Sequence, residues 1–221
     1  MKILIVAATE HEANIGTLAL HEYKRGHIIY KGKYEIHVVI TGTGLIKTVF
    51  HLTEHIVNKH YDLIVNIGIC GAFDRTLNIG DVLRIERDRF ADWGMLDNKD
   101  FKDVFEMGLE DENSFPFEHG WIRDALPPEW LNLTQLKAVD GFTVNTIRVH
   151  NLTRFDQQIY AETESMEGAA FLYVCRQLNS PCIQIRSVSN YVGERDKSKW
   201  DILKALQSLS TFLNSKMFTE A

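Results

Sequence analysis

The chain has 221 residues, 45% of them hydrophobic and 24% charged, enough to bury one sizeable core without disulfide or metal support. Its formal charge of −6 argues against neutralising nucleic-acid backbones or clinging to anionic lipid, because both tasks need a basic surface. No apolar run nears the roughly 20 residues of a membrane helix, and MKILIVAATE offers no basic, cleavable leader. One cytoplasmic domain over residues 1–221, handling a small molecule, is therefore expected.

ILIVAA at 3–8 is the first expected strand, continuously apolar as strands covered on both faces are, and it leads into Thr9-Glu10-His11-Glu12. YEIHVVI at 34–40 is the second and leads into Thr41-Gly42-Thr43-Gly44. The spacing of Leu45, Val49, Leu52 and Ile56 then predicts one apolar face of a helix. His51 and His55 stand four apart on it, as a metal pair can, but with Thr53 and Glu54 beside them and no third ligand in view they read as a solvated face. DLIVNI at 62–67 is the third strand and ends in Gly68-Ile69-Cys70-Gly71.

From Arg89 to Pro128 the pattern breaks into acids, Phe and Trp with little periodicity. Such a long irregular excursion, expected to hold short helices, serves as a lid, a pocket wall or an interface, or is a plain surface insertion. LKAVDGF at 136–142 resumes as a strand, and the run at 161–164 passes through Ser165-Met166-Glu167 into the apolar helix GAAFLYVC at 168–175. CIQIRSVS at 182–189 is the last strand, running out into Asn190, and Ile202, Leu206, Leu209 and Leu213 line the closing helix. This alternation predicts an α/β fold, a single-domain three-layer α/β/α arrangement around a mainly parallel mixed sheet. Cys70, Cys175 and Cys182 form no C-x-x-C pair and sit among apolar residues, so packed thiols are expected.

Ligands of parallel α/β sheets lie beyond the carboxyl ends of the strands. Five strand ends here carry glycines, carboxylates or amides, and together they argue for a site. Glu12 and Glu167 each follow a strand and serve either that site or only the favourable negative charge of a helix start. The glycine segments around Gly44, Ile69 and Gly71 can bring backbone amides close to a ligand, or merely permit tight packing; neither is a P-loop or a full dinucleotide fingerprint. Arg186 is expensive to bury alone and should meet a carboxylate. Neither a metal nor an organic cofactor is expected.

In their order, the strand ending in Glu12, TGTG at 41–44, NIGICGA at 66–72, SMEGAA at 165–170 and IRSVSN at 185–190 resemble the purine nucleoside phosphorylase and nucleosidase superfamily over nearly the whole chain. ESMEGAAF at 164–171 and SNYVGERDKSKWDI at 189–202 resemble its futalosine hydrolase branch. The resemblance implies that Glu12 activates a water, Glu167 binds ribose hydroxyls and Met166, beside Ser165, packs on the sugar. Asn190, next to Ser189, would then pair with a 6-oxopurine, where adenine-specific relatives carry an aspartate. Thr143 and Val144 resemble the base-flanking segment, though the usual aromatic is missing at Thr143, with Phe142 or a residue of the 89–117 stretch as substitutes. Arg195 is a candidate cation for a carboxylated substrate, or else an exposed loop residue. The expected partner is a small nucleoside, with a homodimer or larger homo-oligomer as the assembly. Hydrolysis of futalosine is the implied reaction, with another purine nucleoside, phosphorolysis or a non-catalytic nucleoside-binding protein as alternatives.

Overall fold

Strand β1 (Lys2–Ala7) shows why the apolar runs are continuous. Ile3 and Ile5 face a core cluster that includes Leu209, Phe212 and Leu213, while Leu4 and Val6 face a second cluster with Leu52, Ile56 and Phe171. Both faces are thus removed from water. The computed structural model describes residues 1–16, 28–97, 100–128, 130, 135–147, 160–194 and 196–218.

After β1 follow β2 (Ile28–Lys31), β3 (Tyr34–Ile40), β4 (Leu63–Ala72), β5 (Val82–Phe90), β6 (Gly94–Asp97), β7 (Asp100–Asp103), β8 (Ile122–Arg123), β9 (Lys137–Thr143), β10 (Thr163–Ser165) and β11 (Cys182–Tyr191). The described helices are α1 (Glu10–Gly16), α2 (Leu45–Ile56), α3 (Gly168–Gln177) and α4 (Ile202–Phe212). A nine-stranded sheet runs in the order β10-β9-β5-β11-β4-β1-β3-β2, with β8 on β5. Pairing is parallel for β1 with β3 and β4, for β11 with β4 and for β9 with β5 and β10, and antiparallel for β2 with β3 and β5 with β11. This is the expected mixed α/β fold with helices around a central sheet. Because β10 also pairs antiparallel with β4, the sheet curls until that end closes on itself.

Several local expectations change. Residues 68–71 are not a turn: β4 continues through them to Ala72. A Cβ on Gly68 would collide with the Arg186 guanidinium and Glu12 Oε1, so glycine is required by close approach within a strand. VLRIERDRF is a strand despite its charges, because Arg84 pairs with Asp124 and Arg87 with Asp140, both at 2.8 Å. On α2 the buried row is Thr48, Leu52 and Ile56, while Val49 turns outward with Ile46 and Phe50. Ile202 is likewise exposed, whereas Leu206, Leu209 and Leu213 are buried. His51 and His55 are both part-buried, and His55 Nε2 lies 3.1 Å from Tyr61 Oη. Burial holds the His55 pKa down to about 4, keeping the ring neutral at pH 7.

Outside its short strands the excursion is largely turns and bends, and its described residues hold no α-helix where short helices were expected. The β6–β7 hairpin and β8 surround an aromatic group in which Trp93, Phe105 and Phe117 contact one another and reach Phe90 and Tyr173. All three cysteines are buried free thiols.

Candidate active site

Thr9 and Glu12 form a reciprocal cap at the start of α1. Thr9 Oγ1 accepts from Glu12 N at 3.2 Å, and Glu12 Oε2 accepts from Thr9 N at 3.0 Å and from the Thr9 hydroxyl at 2.9 Å. The other oxygen, Oε1, accepts from Ile69 N at 3.2 Å and lies beside Gly68. One carboxylate therefore both starts the helix and presents an oxygen at the strand ends. The T-x-x-E spacing is a capping-box signal that the sequence carries and the reading above did not use.

Glu167 is the N-cap residue of α3, yet its side chain makes no cap bond. It accepts instead from Gly44 N at 2.9 Å, across the site. The helix start is served by others: Ala169 N donates to Thr143 Oγ1 at 2.7 Å and Gly168 N to Ser165 Oγ at 3.3 Å. Thr143 thus caps α3 from a neighbouring strand and frees Glu167 for the cavity. Burial raises the Glu167 pKa, with Glu12 adding to the rise and Arg186 and Gly44 N opposing it.

Between the two carboxylates and the sheet lies Arg186, which is 1% exposed. Its Nε donates to Gln184 Oε1 at 2.9 Å and its Nη2 to Asn66 Oδ1. In place of the expected charge pairing, two amide oxygens each accept one of the five guanidinium N–H groups, and the field of the cation acts on Glu167 and Asp88.

β11 paired with β4 slips between Val188 and Asn190, so Ser189 is an extra residue and the strand bulges at its functional end. Asn190 Nδ2 donates to Tyr191 O at 3.3 Å, and Ser189 Oγ lies 2.8 Å from Asn190 Oδ1 and 3.1 Å from Cys70 O. A serine has one proton for two acceptors. Since the Tyr191 carbonyl can only accept, the amide nitrogen must face it, which turns Oδ1 toward the serine. Asn190 is left with one N–H and one lone pair to offer a ligand.

These groups open onto a cavity of about 610 Å³. Thr9, Glu12, Ile69, Gly71, Ser165, Met166, Glu167, Ser189 and Asn190 line it, as do His11, Thr43 and Cys70. An apolar side is made by Ile147, Trp200, Ile202, Leu203 and Leu206, residues whose part the sequence pattern did not reveal beyond helix periodicity. Burial pushes the Cys70 thiol up to about 12, which rules it out as a nucleophile near neutrality. Gly44 is off the wall and acts through its amide. Thr143 and Val144 are also off it, buried with the hydroxyl of Thr143 already committed. Phe142 stacks on Trp121 at 5.8 Å and 15°, away from the cavity, and no described residue of the excursion lines it. Arg195 lies outside the described residues. Among the described residues no group of three or more His, Cys, Asp or Glu could hold a metal ion, and no helix is long and apolar enough to cross a membrane.

The two glycine segments each deliver one backbone amide to one carboxylate. Chemically, the site offers paired carboxylates, one with a raised pKa, opposite an oriented amide and beside an apolar wall. That arrangement suits cleavage of a bond through a cationic sugar-like transition state.

The chain is similar to a 5′-methylthioadenosine/S-adenosylhomocysteine nucleosidase of Pseudoalteromonas translucida, 27% identical over 91% of this chain and 89% of that one. It is also similar to a futalosine hydrolase of Thermus thermophilus, 25% identical over 77% and 76% of the two chains. Among solved structures, a futalosine hydrolase mutant of Helicobacter pylori superposes with a TM-score of 0.77 at 21% identity, over 98% of both chains. A Helicobacter pylori 5′-methylthioadenosine/S-adenosylhomocysteine nucleosidase mutant holding 5′-methylthioadenosine in its active site gives the same TM-score at 21% identity, over 98% of this chain and 97% of that one. These likenesses share the fold without separating the two activities. A family profile described as the phosphorylase superfamily matches residues 2–215, and with nucleosidases among its relatives in sequence and fold, the chain belongs to that superfamily.

Proposed function

We propose that the protein is a nucleosidase that hydrolyses the N-glycosidic bond of futalosine, yielding hypoxanthine and dehypoxanthine futalosine in the futalosine route to menaquinone. The observation that carries this reading is Asn190. Its amide, oriented by Ser189 and Tyr191, can donate to the 6-oxygen of hypoxanthine and accept from a protonated nitrogen 7, and it has no acid proton to give an adenine.

In this mechanism Glu12 Oε1 orients a water and takes its proton as the water attacks the anomeric carbon. Glu167 holds the ribose hydroxyls, and nitrogen 7 of the departing base takes a proton from solvent as the bond breaks, the new N–H then donating to Asn190 Oδ1. Water rather than phosphate is favoured because the Ile69 and Gly44 amides are spent on carboxylates and no described wall residue is Lys or Arg. The apolar side from Trp200 to Leu206 supports an aryl group on the ribose. It accommodates a methylthio group as well, and several relatives are 5′-methylthioadenosine/S-adenosylhomocysteine nucleosidases, which makes that activity the second reading.

Chromatographic detection of hypoxanthine from futalosine, with inosine and methylthioadenosine as controls and with or without phosphate, tests all of this. Adenine release from methylthioadenosine at the greater rate would overturn the choice of base; a phosphate-dependent rate would overturn hydrolysis. The reading includes a homo-oligomer, supported by the outward apolar residues Ile46 and Phe50 of α2, and light scattering checks it.

A further inference from the structure

Asp88 on β5 is 1% exposed, does not line the cavity, and is absent from the mechanism above. Three donors meet its carboxylate. Thr143 Oγ1 donates to Oδ1 at 2.8 Å, Gln184 Nε2 donates to Oδ2 at 3.0 Å, and the backbone N–H of Arg89 adds a third bond. A buried carboxylate is costly, and burial pushes this one up to about 6, still ionised at pH 7.

The direction of both side-chain bonds is dictated at their far ends. Ala169 N can only donate, so Thr143 Oγ1 accepts there and must send its own proton to Asp88. Arg186 Nε can only donate, so Gln184 turns its oxygen to the guanidinium and its NH₂ to Asp88. Both chains therefore need an acceptor at residue 88, and only a carboxylate accepts with both oxygens. One chain ends at the start of α3, where Thr143 caps the helix and releases Glu167. The other ends at Arg186, which shares the space over Gly68 with Glu12 Oε1 and is anchored on its far side by Asn66, itself bonded to Val6 O at 3.1 Å. Gly168 is the remaining fitted part, since a Cβ there would enter both the Asp88 carboxylate and the Gln184 amide.

We propose that Asp88 is a positioning residue shared by the two active carboxylates, setting Glu167 through Thr143 and the start of α3, and setting Glu12 through Gln184 and Arg186. The inference rests on the nucleosidase reading for the roles of Glu12 and Glu167. It accounts for a buried charge that has no cation hydrogen-bonded to it among the described residues and would otherwise only destabilise the fold.

The test is steady-state kinetics of Asp88→Asn, Thr143→Val and Gln184→Met on whichever of futalosine, inosine or methylthioadenosine the wild type cleaves, with folding checked by thermal unfolding. Thr143→Val cuts only the Glu167 arm and raises KM, with kcat largely kept. Gln184→Met cuts only the Glu12 arm and lowers kcat, with KM largely kept. Asp88→Asn shows both, and displacement of a reacting group by an ångström corresponds to roughly 10²-fold in rate. Adding Thr143→Val to Asp88→Asn raises KM no further, because both act on one arm. Wild-type kinetics in folded Asp88→Asn, or a parallel fall in kcat with unchanged KM in all three variants, would overturn the proposal. If Asp88→Asn does not fold, the two single-arm variants decide it, and identical signatures in them overturn it. A wild type that releases base from none of the three nucleosides overturns the nucleosidase reading instead.

Discussion

Glu12 accepts three hydrogen bonds while keeping one oxygen at the site, so its replacement separates catalysis from folding. In Glu12→Gln an amide NH₂ faces one of those donors, a loss of about 1 kcal/mol in stability, whereas loss of the base lowers turnover by roughly 10²–10⁴-fold. Hypoxanthine release set beside urea denaturation of the same variant measures both, and unchanged turnover removes Glu12 from the base role. At Asn190 the expected change is one of choice. Asn190→Asp supplies an acid proton and a second acceptor, and should move the ratio of adenine to hypoxanthine release toward adenine by roughly 10²-fold. Competition between methylthioadenosine and futalosine reads that ratio directly.

At the scale of elements, the end of β11 and the start of α4 behave as one unit. Asp201 caps α4 by accepting from Lys204 N at 2.9 Å, and its own N–H bonds Ser189 O at 2.9 Å, beside the bulge that aims Asn190. Asp201→Ala should cost about 1 kcal/mol in a denaturant titration, as lost caps do. Because α4 carries Ile202, Leu203 and Leu206 to the apolar wall, KM should rise with little change in kcat. An unchanged KM would detach that wall from substrate binding. The α2 helix shows how spacing alone misleads at this scale. Leu45, Val49, Leu52 and Ile56 fit a helical stripe, but Thr48 takes the inner place and Val49 does not. The apolar residues of α2 cover nearly half of its circumference, and the buried row lies at one edge of that arc, so its neighbours rather than the spacing select the inward row.

Across the whole molecule, stability carries the signature of Asp88. Its carboxyl is raised from 3.8 to about 6 by burial, so between those values the folded state holds a proton that the unfolded chain has lost. Stability from this group is present at low pH and is lost as pH rises through that window, by roughly 3 kcal/mol. The difference in unfolding free energy between wild type and Asp88→Asn should therefore fall from pH 4 to pH 7 and level off above it. A difference independent of pH would mean that Asp88 ionises as it does in water.

The strand and helix runs, the sheet-rim location of the site and the candidates Glu12, Glu167 and Asn190 were legible in the sequence, because burial on both faces of a strand and polar residues at its end leave local, periodic marks. β5 was not, since its charges look like surface until Asp124 and Asp140 arrive from residues 40 and 53 positions away. Nor was the character of Thr143, which read as a neighbour of the base and is the cap of α3. Which carboxylate caps a helix, which amide orients Asn190 and where Arg186 finds its acceptors depend on groups brought together from distant strands. Hydrogen-bond partners are a property of that three-dimensional neighbourhood, and periodicity along the chain carries no record of them.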